Sequence, residues 1–109
     1  MVSQNKMYCF SAASDSIVSS NGQEDHVSMG ANAATKLHKI LDNLENILAI
    51  ELMNGAQGLD FRRPEKTSPI LEEFMAAYRA EVPFVKDDII MYKMIQKTAD
   101  FLCRYKFDY

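Results

Sequence analysis

The sequence predicts an all-α chain, part of a larger helical bundle, and three observations carry that expectation. Leu37, Ile40, Leu41, Leu44, Ile47 and Leu48 recur at three- and four-residue steps, the spacing that lines one face of a helix. Ser68-Pro69 followed by Glu72-Glu73 is a helix-start signal: a capping hydroxyl, a proline tolerated in the first turn, and acids at the positive end of the dipole. No stretch alternates apolar and polar residues as a half-buried strand does.

Residues 1–22 are rich in Ser, Ala, Asn and Gly, with Asn21-Gly22 as a turn signal, and read as a mostly loop or extended segment. Met7-Tyr8-Cys9-Phe10 and Ile17-Val18 are apolar runs with little nearby to pack against. Residues 23–109 form the helical part. The first helix is expected over about 25–57, opening on the small residues Gly30, Ala31, Ala33 and Ala34 and fading at Gly55 and Gly58. Roughly 30 helical residues span about 45 Å, longer than most globular helices. A second helix is expected over about 68–81, with Ile70, Leu71, Phe74, Met75 and Tyr78 on its apolar face and Val82-Pro83 as its stop. A third is expected over about 87–104, opening at Asp87-Asp88, carrying Met91, Met94, Ile95 and Leu102, and ending near Arg104 and Lys106. The long helix offers more apolar stripe than its two short neighbours can cover. Its partners are then further helices of a longer polypeptide or of other subunits.

Composition bounds the function. The 109 residues suffice for one small domain; 48% are hydrophobic and 25% charged, too apolar for a disordered chain. The net charge of −3, with scattered cations, gives no basic stripe for nucleic acid. Cys9 and Cys103 read as free thiols in a reducing compartment. The first residues lack the apolar run of a secretory leader, and no segment reaches the roughly 18 apolar residues of a bilayer span. No membrane is expected, and the cytoplasm is the expected location. A metal site is rejected: Glu24, Asp25, His26 and His38 make no closed ligand set, and the two histidines would lie roughly 18 Å apart along one helix. There is no Gly-x-Ser-x-Gly, and the four glycines are too dispersed for a phosphate-cradling loop.

Gln23-Glu24-Asp25-His26 places an amide, two carboxylates and an imidazole at a loop-to-helix junction. The residues alone leave two readings open. One is an acidic capping cluster, with Asp25 as the cap, Ser28 three residues on, and His26 a hydrogen-bonding residue of the first turn. The other is a chemical site, in which the helix dipole keeps Glu24 ionised while burial would oppose it.

The whole string Gln23-Glu24-Asp25-His26-Val27-Ser28-Met29-Gly30 resembles the active-site segment near the carboxy end of the catalytic domain of histidine ammonia-lyases. The likeness continues through Ala33-Ala34-Thr35-Lys36, Leu48-Ala49-Ile50-Glu51-Leu52, residues 56–64, Ser68-Pro69-Ile70-Leu71 and Val82-Pro83-Phe84-Val85. The resemblance implies loss of ammonia from L-histidine to give urocanate. The family does this with an electrophilic methylidene-imidazolone (MIO) group formed from an internal Ala-Ser-Gly. Glu24 matches the family's active-site glutamate, which handles the substrate's amino group or imidazole, and Gln23 matches its neighbour. Asp25 and His26 are expected to support and cap from behind. Phenylalanine and tyrosine ammonia-lyases typically have Gln where Glu24 stands and lack His at position 26, so histidine is the expected parent substrate.

The chain departs from the family in two respects. It contains no Ala-Ser-Gly, and Ala13-Ser14-Asp15 is the nearest string. The segment Cys9-Phe10-Ser11-Ala12-Ala13-Ser14-Asp15-Ser16 also differs from the usual His-Pro-Ala-Ser-Val-Asp-Ser, with Ser11 replacing a rigid Pro. The expectation is therefore a C-terminal lyase fragment, inactive alone, that associates with itself or with the remainder of the lyase polypeptide. The alternatives are a non-catalytic helical interaction module and a fragment of a tyrosine or phenylalanine ammonia-lyase.

Overall fold

The computed structural model describes residues 1–24 and 26–107. Its helices are α1 (Val2–Tyr8), α2 (Gly30–Asp60), α3 (Pro69–Glu81) and α4 (Tyr92–Arg104), with a short 3-10 turn at Ser20–Gly22. No strand forms among the described residues; Ser19 and Glu24 make an isolated antiparallel bridge. None of the described helices is long and apolar enough to cross a membrane. The all-α expectation holds.

The chain divides into two compact units, Met1–Leu44 and Glu45–Tyr109. In the first, α1 is held by polar contacts rather than by a core. Asn43 Nδ2 donates to Asn5 Oδ1 at 2.7 Å and to Gln4 Oε1 at 3.1 Å, and Asn5 Nδ2 donates to the Ile40 carbonyl at 3.4 Å. This helix lies in a segment read from sequence as mostly loop. Its residues VSQNKMY carry no apolar period, and none is buried.

The apolar stripe of α2 stays in water over its first half: Leu37 is 56% exposed, Leu41 46%, Leu44 42% and Leu48 46%. Leucines at 4-3-4 spacing on one helix face are the pattern of a packed seam. Among the described residues they are only partly covered.

The second unit holds the core. Met53 and Ala56 of α2, Phe74, Met75 and Tyr78 of α3, Val82, and Met94 and Phe101 of α4 form one buried cluster. Phe74 stands at its aromatic centre, with ring centroids 5.5 Å from Phe101, 5.0 Å from Tyr105 and 5.4 Å from Phe107. A buried hydroxyl pair crosses from α3 to α4, Tyr78 OH to Thr98 Oγ1 at 3.0 Å. Thr98 has one proton, and it goes to the Met94 carbonyl at 2.8 Å. Tyr78 is therefore the donor of the pair.

The helix limits separate what local chemistry fixes from what it does not. Ser68 caps α3 as expected, accepting the Leu71 N–H at 3.4 Å, with Pro69 in the first turn. By contrast α2 begins at Gly30, not near 25, and ends at Asp60 rather than near 57. Gly55 and Gly58 do not end it because tertiary contacts outweigh their poor propensity. Ala56 is buried, the Gln57 amide bonds both backbone groups of Val85 at 2.6 and 3.3 Å, and Asp60 accepts from Arg79 Nε at 2.7 Å. The last helix starts at Tyr92, not at Asp87-Asp88. Ile89 and Ile90 between them are β-branched and exposed, so neither propensity nor packing favours extending the helix over them.

Candidate functional site

Described residues on either side of the turn at 20–22 pair with each other before α2 begins. Ser19 and Glu24 exchange both backbone bonds, N–H to carbonyl, at 3.3 Å each way. The turn between them has three successive positive φ values, Ser20 at 51°, Asn21 at 58° and Gly22 at 85°. Gly22 is suited to that region because it lacks a Cβ; Asn21 tolerates it through its short polar side chain. Farther from the turn, Ser16 Oγ accepts the Val27 N–H at 2.9 Å and reaches the Val27 carbonyl at 3.5 Å. One hydroxyl thus serves both backbone groups of Val27. The result is a closed hairpin-like loop fixed at two levels.

This loop sets where the candidate residues lie. Gln23 and Glu24 lie on its returning arm and are exposed. Glu24 makes no ion pair among the described residues, so its carboxylate is available to an incoming group. His26 is also exposed, and it lines a hollow of about 260 Å³ with Ala13, Asp15, Ser28, Met29, Gly30 and Ala33. Neither Gln23 nor Glu24 lines that hollow. Gln23 and Glu24 thus lie outside the hollow that His26 and Asp15 both line. Asp25 lies outside the described residues.

His26 is not in a first helical turn, as expected from sequence, because α2 starts four residues later. The Val27 amide is committed to Ser16, which withdraws it from any helix. The side-chain acceptor near the start of α2 is Ser28, whose Oγ takes the Gly30 N–H at 3.3 Å, and Ala33 N to Met29 O at 3.1 Å is the first helical bond. Asp15 and Ser16 are the residues that sequence reasoning missed. Ser16 meets Val27 from 11 residues away, and no local pattern marks such a pairing.

An exposed carboxylate beside an amide can accept from a cationic amine or an imidazolium, and it can take up a proton. It cannot by itself act as an electrophile. No group of three or more His, Cys, Asp or Glu among the described residues is placed to hold a metal ion.

The described elements are helices, and residues 23, 24 and 26–29 lie in the loop that leads into α2, the longest of them. Residues 1–80 match the family model for aromatic amino acid lyase, and the chain belongs to that family. Its relatives include histidine ammonia-lyase of Koribacter versatilis (strain Ellin345), 45% identical over 101 residues, which is 93% of this chain and 18% of that protein. Histidine ammonia-lyase of Burkholderia mallei (strain NCTC 10229) is 50% identical over 82 residues, 75% of this chain and 16% of the relative. The crystal structure of histidine ammonia-lyase from Trypanosoma cruzi superposes with a TM-score of 0.88 at 40% identity, over 94% of this chain and 20% of that one. The chain thus spans about a fifth of the length of these relatives.

Proposed function

We propose that this chain supplies one wall of a histidine-deaminating site, with Glu24 as the group that meets the substrate's amino group or imidazole and Gln23 beside it. The observation that carries the reading is the exposed placement of both residues on a doubly fixed loop, within a chain whose relatives are histidine ammonia-lyases. Fixing the backbone at Glu24 lessens the reorganisation needed when a cation arrives. His26 is assigned a supporting role rather than contact with the substrate; Asp25, expected beside it in that role, lies outside the described residues.

The family's MIO electrophile requires an Ala-Ser-Gly, and this chain does not fit that need. In the nearest string, Ala13-Ser14-Asp15, the glycine is replaced and the Ser14 hydroxyl donates to the Ser11 carbonyl at 3.3 Å. No step is assigned through that group here, and the chain alone is proposed to be inactive. L-Histidine is the proposed substrate of the assembled site. The alternative of a tyrosine or phenylalanine ammonia-lyase segment is disfavoured by Glu24 and His26.

Complementation tests this reading. The chain is mixed with the complementary portion of a histidine ammonia-lyase that lacks this segment, and urocanate formation is followed by its absorbance. Activity that appears only in the mixture, and falls about 10²–10⁴-fold with Glu24→Gln, is the expected result. Undiminished activity with Glu24→Gln would remove Glu24 from the chemistry.

A second reading rests on a separate observation, the exposed leucines of α2. They suit a chain that associates with further copies of itself or with the rest of a lyase, with or without catalysis. A solution mass equal to the monomer at micromolar concentration would count against self-association.

A further inference from the structure

We propose that the hollow between residues 10–15 and the early turns of α2 is a binding site for a phosphate group. It is an open hollow of about 570 Å³ lined by Phe10, Ser11, Asp15, Asn32, Lys36 and Lys39, among others. Neither Gln23, Glu24 nor His26 lines it; it shares Asp15 with the smaller hollow that His26 lines.

Donor bookkeeping is what favours an oxyanion. Asn32, Lys36 and Lys39 follow at four- and three-residue steps and so share one face of α2. Lys36 donates one proton to the Phe10 carbonyl at 2.9 Å, which leaves two. Lys39 makes no ion pair among the described residues and keeps all three. Asn32 uses one amide proton on Met29 Sδ at 3.4 Å and keeps the other. Ser11 Oγ accepts the Ala13 N–H at 3.2 Å, so its own proton is unspent. Thr35 and Ser14 add nothing to the count: their hydroxyls donate to the Ala31 carbonyl at 2.5 Å and the Ser11 carbonyl at 3.3 Å. Against these donors the hollow offers one anion, the Asp15 carboxylate.

The two ammonium groups are also positioned before any ligand arrives. Lys36 Nζ lies 6.0 Å from the centroid of Phe10, and Lys39 Nζ lies 5.6 Å from that of Tyr8. Aromatic faces hold cations without consuming their protons. Ser11, which supplies one of the donors, stands where the family pattern has a proline with no side-chain donor. Two cations and several free donors suit a dianionic tetrahedral group, whether free phosphate or the phosphate of a small monoester.

The test is an amide NMR titration of the full chain with inorganic phosphate and, in parallel, with methyl phosphate. Saturable shifts confined to residues 10–15 and 32–39 are expected. Lys39→Gln should weaken binding about fivefold, and Asp15→Asn should strengthen it by a similar factor, as expected for exposed charge pairs. Lys97→Gln on α4, which alters the net charge equally, should leave affinity unchanged. Tighter binding of methyl phosphate would mark the ligand as an ester, and equal binding would mark it as phosphate itself. Non-saturating shifts, or a loss with Lys97→Gln equal to that with Lys39→Gln, would overturn the proposal. All variants lie on exposed positions, and helix content by circular dichroism verifies that each remains folded.

Discussion

Ser16 holds Val27 by both of its backbone groups, the N–H at 2.9 Å and the carbonyl at 3.5 Å, and this clasp closes the loop that presents Glu24. Replacing Ser16 by Ala leaves a half-buried amide with no side-chain partner. The net value of such a bond is about 1 kcal/mol. Hydrogen exchange at the Val27 amide should then accelerate about fivefold or more, while exchange in α3 and α4 stays as it was. Unchanged exchange at Val27 would show that the clasp contributes nothing to loop order.

The Tyr78–Thr98 pair makes an asymmetric prediction. Thr98→Val removes the acceptor of the Tyr78 hydroxyl and leaves that donor buried without a partner, a loss of about 1–3 kcal/mol. Tyr78→Phe removes the donor and leaves Thr98 still bonded to the Met94 carbonyl, so it should cost less. Burial raises the Tyr78 hydroxyl above its usual titration range, against the opposing effects of Thr98 and Arg79. Urea unfolding of the two variants measures the difference directly. Equal losses would refute the donor assignment.

Acid should loosen the start of α3. Glu72 accepts from the Thr67 N–H and hydroxyl at 2.8 Å each and pairs with Arg63 at 2.8 Å. These partners, the Thr67 backbone bond first, lower its carboxyl from 4.5 to about 2. A carboxyl that binds its proton more weakly when folded stabilises the fold above its unfolded pKa. Its contribution is complete above about 4.5 and disappears as pH falls through about 2. Glu72→Gln should flatten that part of the stability profile against pH, and a profile identical to the parent's would contradict it.

Arg79 ties the end of α2 to the end of α3. Its Nε and Nη2 both reach Asp60 Oδ2 at 2.7 Å, and Nη1 donates to the Val82 carbonyl at 3.0 Å. Both side chains are about four-fifths buried, so solvent screens the pair less than a surface bridge. Asp60→Asn should lower stability by about 2 kcal/mol, the value of a hydrogen bond to a charged group. It should also raise hydrogen exchange in the last turn of α2. Thermal unfolding with and without added salt checks the first part, and a loss below a few tenths of a kcal/mol would disprove it.

The elements legible in the sequence are those written in local chemistry. Ser68-Pro69 marks the start of α3 because the capping oxygen and the amide it serves are three residues apart. The ends of α2 were not legible, because they are set by contacts between distant residues: Ser16 with Val27 at one end, Gln57 with Val85 and Asp60 with Arg79 at the other. The glycines at 55 and 58 therefore misled, and so did the acidic pair at 87–88. The short α1 has no apolar period to read, since side-chain amides anchor it. At the site, the string of residues 23–30 identified Gln23 and Glu24 as a pair at a junction. That His26 and Asp15 line a hollow which Gln23 and Glu24 do not required the fold.

The leucines at 37, 41, 44 and 48 also bear on how the chain must be handled. Where an apolar face is covered only by association, the folded state gains free energy from every partner it meets, and that gain follows mass action. The melting temperature should then rise with protein concentration, and dilution should act on the chain as a denaturant does. Under the self-association proposed above, a stability measured for this chain belongs to the concentration at which it was measured.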